Sequence, residues 1–163
     1  EEEEKGKKEW LAGEIKTVEK YLADKKITVQ KTPSGAFVEI INPGTGNLAD
    51  TGNYISVNYT GTSWSGKRFD SNTDTAFHHV EPYSFEVGVG KMSKGFDEAM
   101  LFLRKGGKGK IYVPSLLAYG GQPTTPLIKP YEHLIFDIEM LDIKDKAPAQ
   151  PAGPQMSQMP QQQ

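Results

Sequence analysis

From Trp10 the apolar residues fall at Leu11, Ile15, Val18 and Leu22, a spacing of i, i+4, i+7 and i+11 within a charged background. That stripe predicts one face of an amphipathic helix of about four turns. The period then changes to two. ITVQK (27–31) and AFVEII (36–41) flank the turn-forming run Thr32-Pro33-Ser34-Gly35 and predict a hairpin. YISVNYTGT (54–62) alternates behind the turn residues 50–53, and YSFEV (83–87) is a shorter alternating run. KGKIYVP (108–114) sets Ile111 and Val113 on one face and stops at Pro114. HLIFDIEMLDI (133–143) places Leu134, Phe136, Ile138 and Met140 on one side, with Ile135 and the acids on the other. Between the strands starting at 83 and 108, SKGFDEAMLFLRKGG carries Asp97 and Glu98 in its first turn and Arg104 and Lys105 in its last, before Gly106-Gly107. It predicts a second helix.

One helix against several antiparallel strands defines an α+β body, its sheet wrapped around that helix. The organisation reads as three parts: an acidic start and amphipathic helix over 1–26, a globular body over 27–145, and a Pro/Gln-rich tail over 146–163. The tail lacks apolar periodicity and is expected to be disordered. Within the body, VNYTGTSWSGKRFDSN (57–72) raises a local question. The apolar Phe69 is followed at once by Asp70, Ser71, Asn72 and Thr73. A loop explains this cheaply; a pocket with one polar anchor among aromatic walls explains it better.

Composition narrows the chemistry. The 163 residues suffice for one domain with a proper core. A net charge of -2 offers no basic field, so no nucleic-acid partner is expected. There is no apolar run of about 18 residues, so no transmembrane segment is expected. Cysteine is absent, which excludes disulfides, thiol catalysis and thiolate metal sites and is compatible with either redox compartment. GVGKMS (88–93) resembles a phosphate loop, but Phe85 stands where the first glycine is required, and Ser93 takes the third glycine of a dinucleotide pattern. His78 and His79 point apart in an extended segment and read as a polar loop; no HExxH is present. His133 reads as a partly exposed ring, and no GxSxG occurs. No metal and no cofactor are expected. The abundant feature is aromatic: Tyr59, Phe69, Tyr83, Phe96, Tyr119 and Phe136 lie at strand ends and loops. Each reads as core or pocket. The loop AYGGQPTTPLIKP (118–130) adds Leu127 and Ile128, which a plain connector would not need.

NPGTG, VNYTG, GKRFDSN, the helix start GF-x-EA, VPSLLAYG and LIFDIEML occur in this order between about Gly35 and Ile143. In these motifs the body resembles an FKBP-type peptidyl-prolyl cis-trans isomerase. The resemblance implies a half-open antiparallel sheet curled over one short helix, here with an extra N-terminal helix. It implies Asp70, Tyr119 and Phe136 as catalytic residues and Tyr59, Tyr83, Phe69, Met92, Ser93, Phe96, Leu127 and Ile128 as substrate-binding ones. Proline-containing polypeptides would be the substrates, and macrolides like FK506 and rapamycin possible ligands. Three departures stand out: Phe96 where the best-known members carry tryptophan, Ser93 where isoleucine is common, and a lengthened segment NTDTAFHHVEP (72–82). Asp70 is expected to orient Tyr119 or the bound chain.

Two further readings stay open: a binding or chaperone module with weak catalysis, and an adaptor working through the first helix. That helix either packs on the body or pairs with another copy, with intramolecular or weak contact favoured. The acidic start, cysteine-free body and Gln/Pro tail resemble the mature part of an exported bacterial isomerase, periplasmic or an outer-membrane lipoprotein; the alternative is a cytoplasmic protein.

Overall fold

The structure, a computed structural model, describes residues 2–90 and 93–146. Helix α1 spans Glu2–Asp24. It ends where Lys26 takes a left-handed φ of 60° and the Ile27 N–H reaches back to the Leu22 carbonyl at 2.9 Å, a closing turn that satisfies orphan carbonyls. Strands β1 (Gln30–Lys31), β2 (Phe37–Asn42), β3 (Thr45–Leu48), β4 (Tyr54–Ser63), β5 (Arg68–Ser71) and β6 (Tyr83–Glu86) follow. After them come helix α2 (Lys94–Ala99) and strands β7 (Arg104–Lys105), β8 (Lys108–Val113) and β9 (Leu134–Lys144).

The main sheet is antiparallel, in the order β1-β2-β8-β9-β4-β5, and β6 pairs with the first half of β4 on the edge whose second half holds β5. Alternation decides what each face buries. On the inner face Val38, Ile111, Ile55, Val57, Ile138 and Met140 pack against Phe96, Ala99, Met100 and Leu103 from α2 and the turn behind it. On the outer face the register aligns Phe37, Tyr112 and Ile135 as cross-strand neighbours. Val18 and Leu22 of α1 bury that row. The first helix therefore closes the second face of the sheet, as an intramolecular contact.

Two elements differ from the sequence expectation. The hairpin strand over ITVQK shrinks to Gln30–Lys31, because Ile27 and Val29 turn toward α1. The second helix stops at Ala99 and tightens into a 3-10 turn over Met100–Phe102. Arg104 and Lys105 leave it to pair with β3, an otherwise unanticipated strand, and the Arg104 guanidinium donates to the Gly46 carbonyl at 2.6 Å. Sheet pairing replaces the helix there, with Lys105 opposite Thr45 and Arg104 opposite Leu48. The tail beyond residue 146 lies outside the described residues.

Candidate active site

Five strands contribute one cross-sheet row on the inner face: Val38, Ile111, Phe136, Gly61 and Asp70. Beside it a cavity of about 270 Å³ is lined by Tyr59, Phe69, Asp70, Ser93, Phe96, Ala118, Tyr119, Leu134 and Phe136. Phe96, 1% exposed, forms the floor. The Phe136 ring meets Phe96 edge-on at 5.0 Å and Phe69 edge-on at 5.7 Å, the offset geometry aromatic pairs prefer. Gly61 makes this possible. A Cβ there would lie 2.5 Å from the Phe69 ring and 3.0 Å from that of Phe136.

The polar end of the cavity is Asp70. Its Oδ2 accepts from the Tyr59 hydroxyl at 2.8 Å, and its Oδ1 accepts from the Ser71 N–H at 2.9 Å and lies 2.7 Å from His79 Nε2. Burial, and then the Asp70 carboxylate, push the Tyr59 phenol well above its ordinary range, so it stays a donor. Asp70 thus orients Tyr59, where the sequence reading had it orient Tyr119 or the bound chain. The expected polar loop at 78–79 also acquires a specific contact, through His79. Asn72, 2% exposed and given no role from sequence, locks this corner. Its side chain accepts from the Tyr59 N–H at 2.7 Å and donates to the Val57 and Glu81 carbonyls at 2.9 and 3.0 Å.

Tyr119 stands on the opposite rim, 43% exposed, just after a 3-10 turn over Ser115–Leu117. The left-handed Gly120 (φ 57°) closes that turn by donating to the Ser115 carbonyl at 2.8 Å. His133, immediately before β9, braces it: its Nδ1 accepts from the Ser115 N–H at 3.0 Å. Burial holds His133 below the ordinary histidine range, with Glu14 and Glu132 pulling the other way. Ser93 begins α2, its carbonyl accepting from the Asp97 N–H at 2.9 Å, while its side chain makes no capping bond. Its N–H donates to no acceptor among the described residues.

Seven of the eleven expected residues, namely Tyr59, Phe69, Asp70, Ser93, Phe96, Tyr119 and Phe136, meet in this cavity. Three do not line it. Ile128, 3% exposed, is core. Leu127 is 37% exposed on the surface of the long loop. Tyr83, 37% exposed, stacks on Phe85 and stands 6.2 Å edge-on from Tyr59. Met92 lies outside the described residues.

Residues 46–141 match the family model described as FKBP-type peptidyl-prolyl cis-trans isomerase. The chain is 36% identical over 109 residues to the FK506-binding protein of Neisseria meningitidis serogroup B, covering 67% of this chain and 96% of that protein. It is 35% identical over 107 residues to FK506-binding protein 1 of Saccharomyces cerevisiae, covering 65% and 90%. Among solved structures, FkpA from Escherichia coli superposes with a TM-score of 0.64 at 30% identity, over 84% of this chain and 62% of that one. The peptidyl-prolyl cis-trans isomerase from Pseudomonas syringae pv. tomato gives 0.64 at 26%, over 82% and 95%. The chain belongs to the FKBP-type peptidyl-prolyl cis-trans isomerase family, and its activity is the rotation of Xaa-Pro peptide bonds. The reading as a weakly catalytic binding module is not favoured.

Proposed function

We propose that the cavity around Phe136 is where the prolyl ring of a polypeptide is held while its peptide bond rotates, and that Asp70, Tyr119 and Phe136 are its working residues. The observation that carries this is the enclosure of about 270 Å³ by five aromatic rings with a single carboxylate at one end. Rotation about a peptide bond faces a barrier of about 18–20 kcal/mol, set by amide resonance. An Xaa-Pro bond therefore exchanges over tens to hundreds of seconds. Turnover near 100 per second needs roughly four orders of magnitude, or about 5–6 kcal/mol. No nucleophile is required. The twisted amide has lost the charge separation of the planar form, so a water-poor aromatic cavity disfavours the planar ground state relative to it.

In this mechanism Tyr59, Phe69, Phe96 and Phe136 receive the ring. The Tyr119 hydroxyl and the Ser93 N–H donate to substrate carbonyls in the twisted geometry. Asp70 is tied to the protein: the Tyr59 hydroxyl, the Ser71 N–H and His79 Nε2 already contact it, so it fixes Tyr59 and the rim. The likeness to FK506-binding proteins supports FK506-like macrolides as ligands. Catalysis of proline-limited refolding by the full chain tests the proposal, with competition by such a macrolide as the second arm. Refolding unaccelerated by folded protein would overturn it.

We also propose that the protein assists folding of exported polypeptides. The Pro/Gln-rich segment 146–163 is what supports this location. Fractionation of the source cells tests it, and recovery in the cytosolic fraction would contradict it.

A further inference from the structure

Helix α1 is fixed against the rim of the catalytic cavity by specific contacts. Glu14, a charged residue on a charged helix, is 7% exposed. Its carboxylate accepts from the Ser115 hydroxyl and, at 3.0 Å, from the Leu116 N–H, both in the turn that delivers Tyr119. One helical turn earlier Trp10 stacks on Tyr131 at 4.4 Å, and the Tyr131 N–H donates to the Gly120 carbonyl at 2.7 Å. The helix thus grips the Tyr119 loop at two points.

Between those grips and the loop the packing stays open. A cleft of about 610 Å³ runs between the first turns of α1, at Lys7, Lys8 and Leu11, and the segment 118–122, with Tyr131 at its end. Tyr119 and Ala118 line both this cleft and the catalytic cavity, so the two adjoin across the Tyr119 side chain. Leu11 and Leu116 give it an aliphatic wall. Tyr119 and Tyr131, 43% and 46% exposed, put two large aromatic surfaces on its lining, and Trp10, 47% exposed, stacks on the second. Large aromatic side chains left partly exposed around a groove are typical of surfaces that receive another chain. Lys7 and Lys8 can lay their methylene stems along the mouth.

We propose that this cleft is a second subsite for the polypeptide substrate, taking an aliphatic or aromatic side chain about two to four residues from the proline. It rests on the isomerase reading above and deepens it. The occupant follows from continuity. A chain whose prolyl ring sits on Phe136 and passes over Tyr119 enters this cleft, and an extended chain advances about 3.3 Å per residue. The α1 helix then serves as a wall of the binding site as well as a cover for the sheet. Longer substrates with an apolar flank gain a contact that tetrapeptides lack.

The test compares kcat/KM of the full chain for a tetrapeptide centred on Leu-Pro with decapeptides carrying leucine or serine at each flanking position. The expected result is at least a fivefold advantage for a leucine-flanked decapeptide over both the tetrapeptide and the serine series. Leu11→Trp, which fills the cleft, reduces that ratio to near one, whereas Lys16→Ala on the same helix, outside the cleft, preserves it. A ratio near one in the unaltered protein, or a ratio that survives Leu11→Trp, overturns the subsite. Absence of turnover on every peptide would instead overturn the isomerase assignment. A benzophenone at the favoured flank position gives an independent measure that needs no variant. Cross-links to residues 7–11 or 118–122 support the cleft, and cross-links confined elsewhere refute it.

Discussion

Phe69 and Asp70 are consecutive residues, yet both line the same cavity. In a regular strand successive side chains point to opposite faces. Here β5 pairs Arg68 with Thr62 and Asp70 with Gly61, two positions against one on β4, so Phe69 is the extra residue of a β-bulge. A bulge re-aims a side chain without breaking the sheet. The carboxylate is therefore pressed against an aromatic ring because the cavity needs both, and only a local irregularity can supply both from neighbouring positions.

That relationship makes Asp70 a positioning anchor. Asp70→Leu removes the acceptor for the Tyr59 hydroxyl, the Ser71 N–H and His79 at once and leaves Tyr59 unpaired at the cavity wall. Loss of a charge-assisted hydrogen bond costs about 1.5–3 kcal/mol. A fall in kcat/KM of about ten- to a hundredfold is expected in folded protein. His79→Ala should cost only a fewfold, since two donors remain on Asp70. Steady-state rates on one Leu-Pro peptide check both. Equal losses for the two variants would mean that His79 does more than brace the carboxylate.

Gly61→Ala tests the wall. The new methyl overlaps the Phe69 ring at 2.5 Å and the Phe136 ring at 3.0 Å, both of which would have to move. Overpacking of this kind costs about 1–3 kcal/mol. Chemical denaturation should show that loss, and activity should fall further than stability does, since the displaced rings are those that hold proline. Unchanged activity with a lowered midpoint would exclude Phe69 and Phe136 from contact with substrate.

The elements whose burial follows a simple period were legible in the sequence. The α1 stripe ends in the buried Val18 and Leu22, and the alternation in β9 sends Leu134, Ile138 and Met140 to the core. The motifs around Tyr59, Phe69, Asp70, Phe96, Tyr119 and Phe136 led to one cavity. What escaped depends on long-range pairing. Glu14 meets Ser115 from 101 positions away, and nothing in a helix already rich in glutamate marks that one carboxylate as buried. His79 reaches Asp70 only because the lengthened loop folds back over β5. Ile128 looks like a loop residue by its neighbours and is core by its position. A proline- and threonine-rich flank carries no signal of which apolar side chain turns inward.

Tyr119→Phe keeps the ring and deletes one hydroxyl. If the site works by desolvation and positioning, the loss is one hydrogen bond, about 0.5–1.5 kcal/mol, so kcat/KM should fall about three- to tenfold. Rates on peptides and macrolide affinity should fall together if both ligands take the same donor. Complete loss of turnover in folded protein would assign the hydroxyl a chemical role that positioning does not explain.

The final prediction concerns pH. His133 Nδ1 accepts the Ser115 N–H, so the ring must be neutral in the folded protein, with its proton on Nε2. Burial depresses its pKa below the unfolded value of 6.5, against the pull of Glu14 and Glu132. Below that value the unfolded chain binds a proton that the folded chain resists, so stability rises with pH across this window. The contribution is complete above about pH 6.5 and is lost as pH falls through the depressed folded value. Protonation would also set an N–H against the Ser115 N–H and loosen the turn that carries Tyr119. His133→Asn keeps an acceptor near the Nδ1 position but does not titrate. Urea midpoints between pH 5 and pH 8 should therefore fall more steeply on acidification in the unaltered protein than in His133→Asn. Parallel curves would mean that His133 titrates alike in the folded and unfolded chains, and the bracing bond from Ser115 would then contribute nothing to the stability of the site.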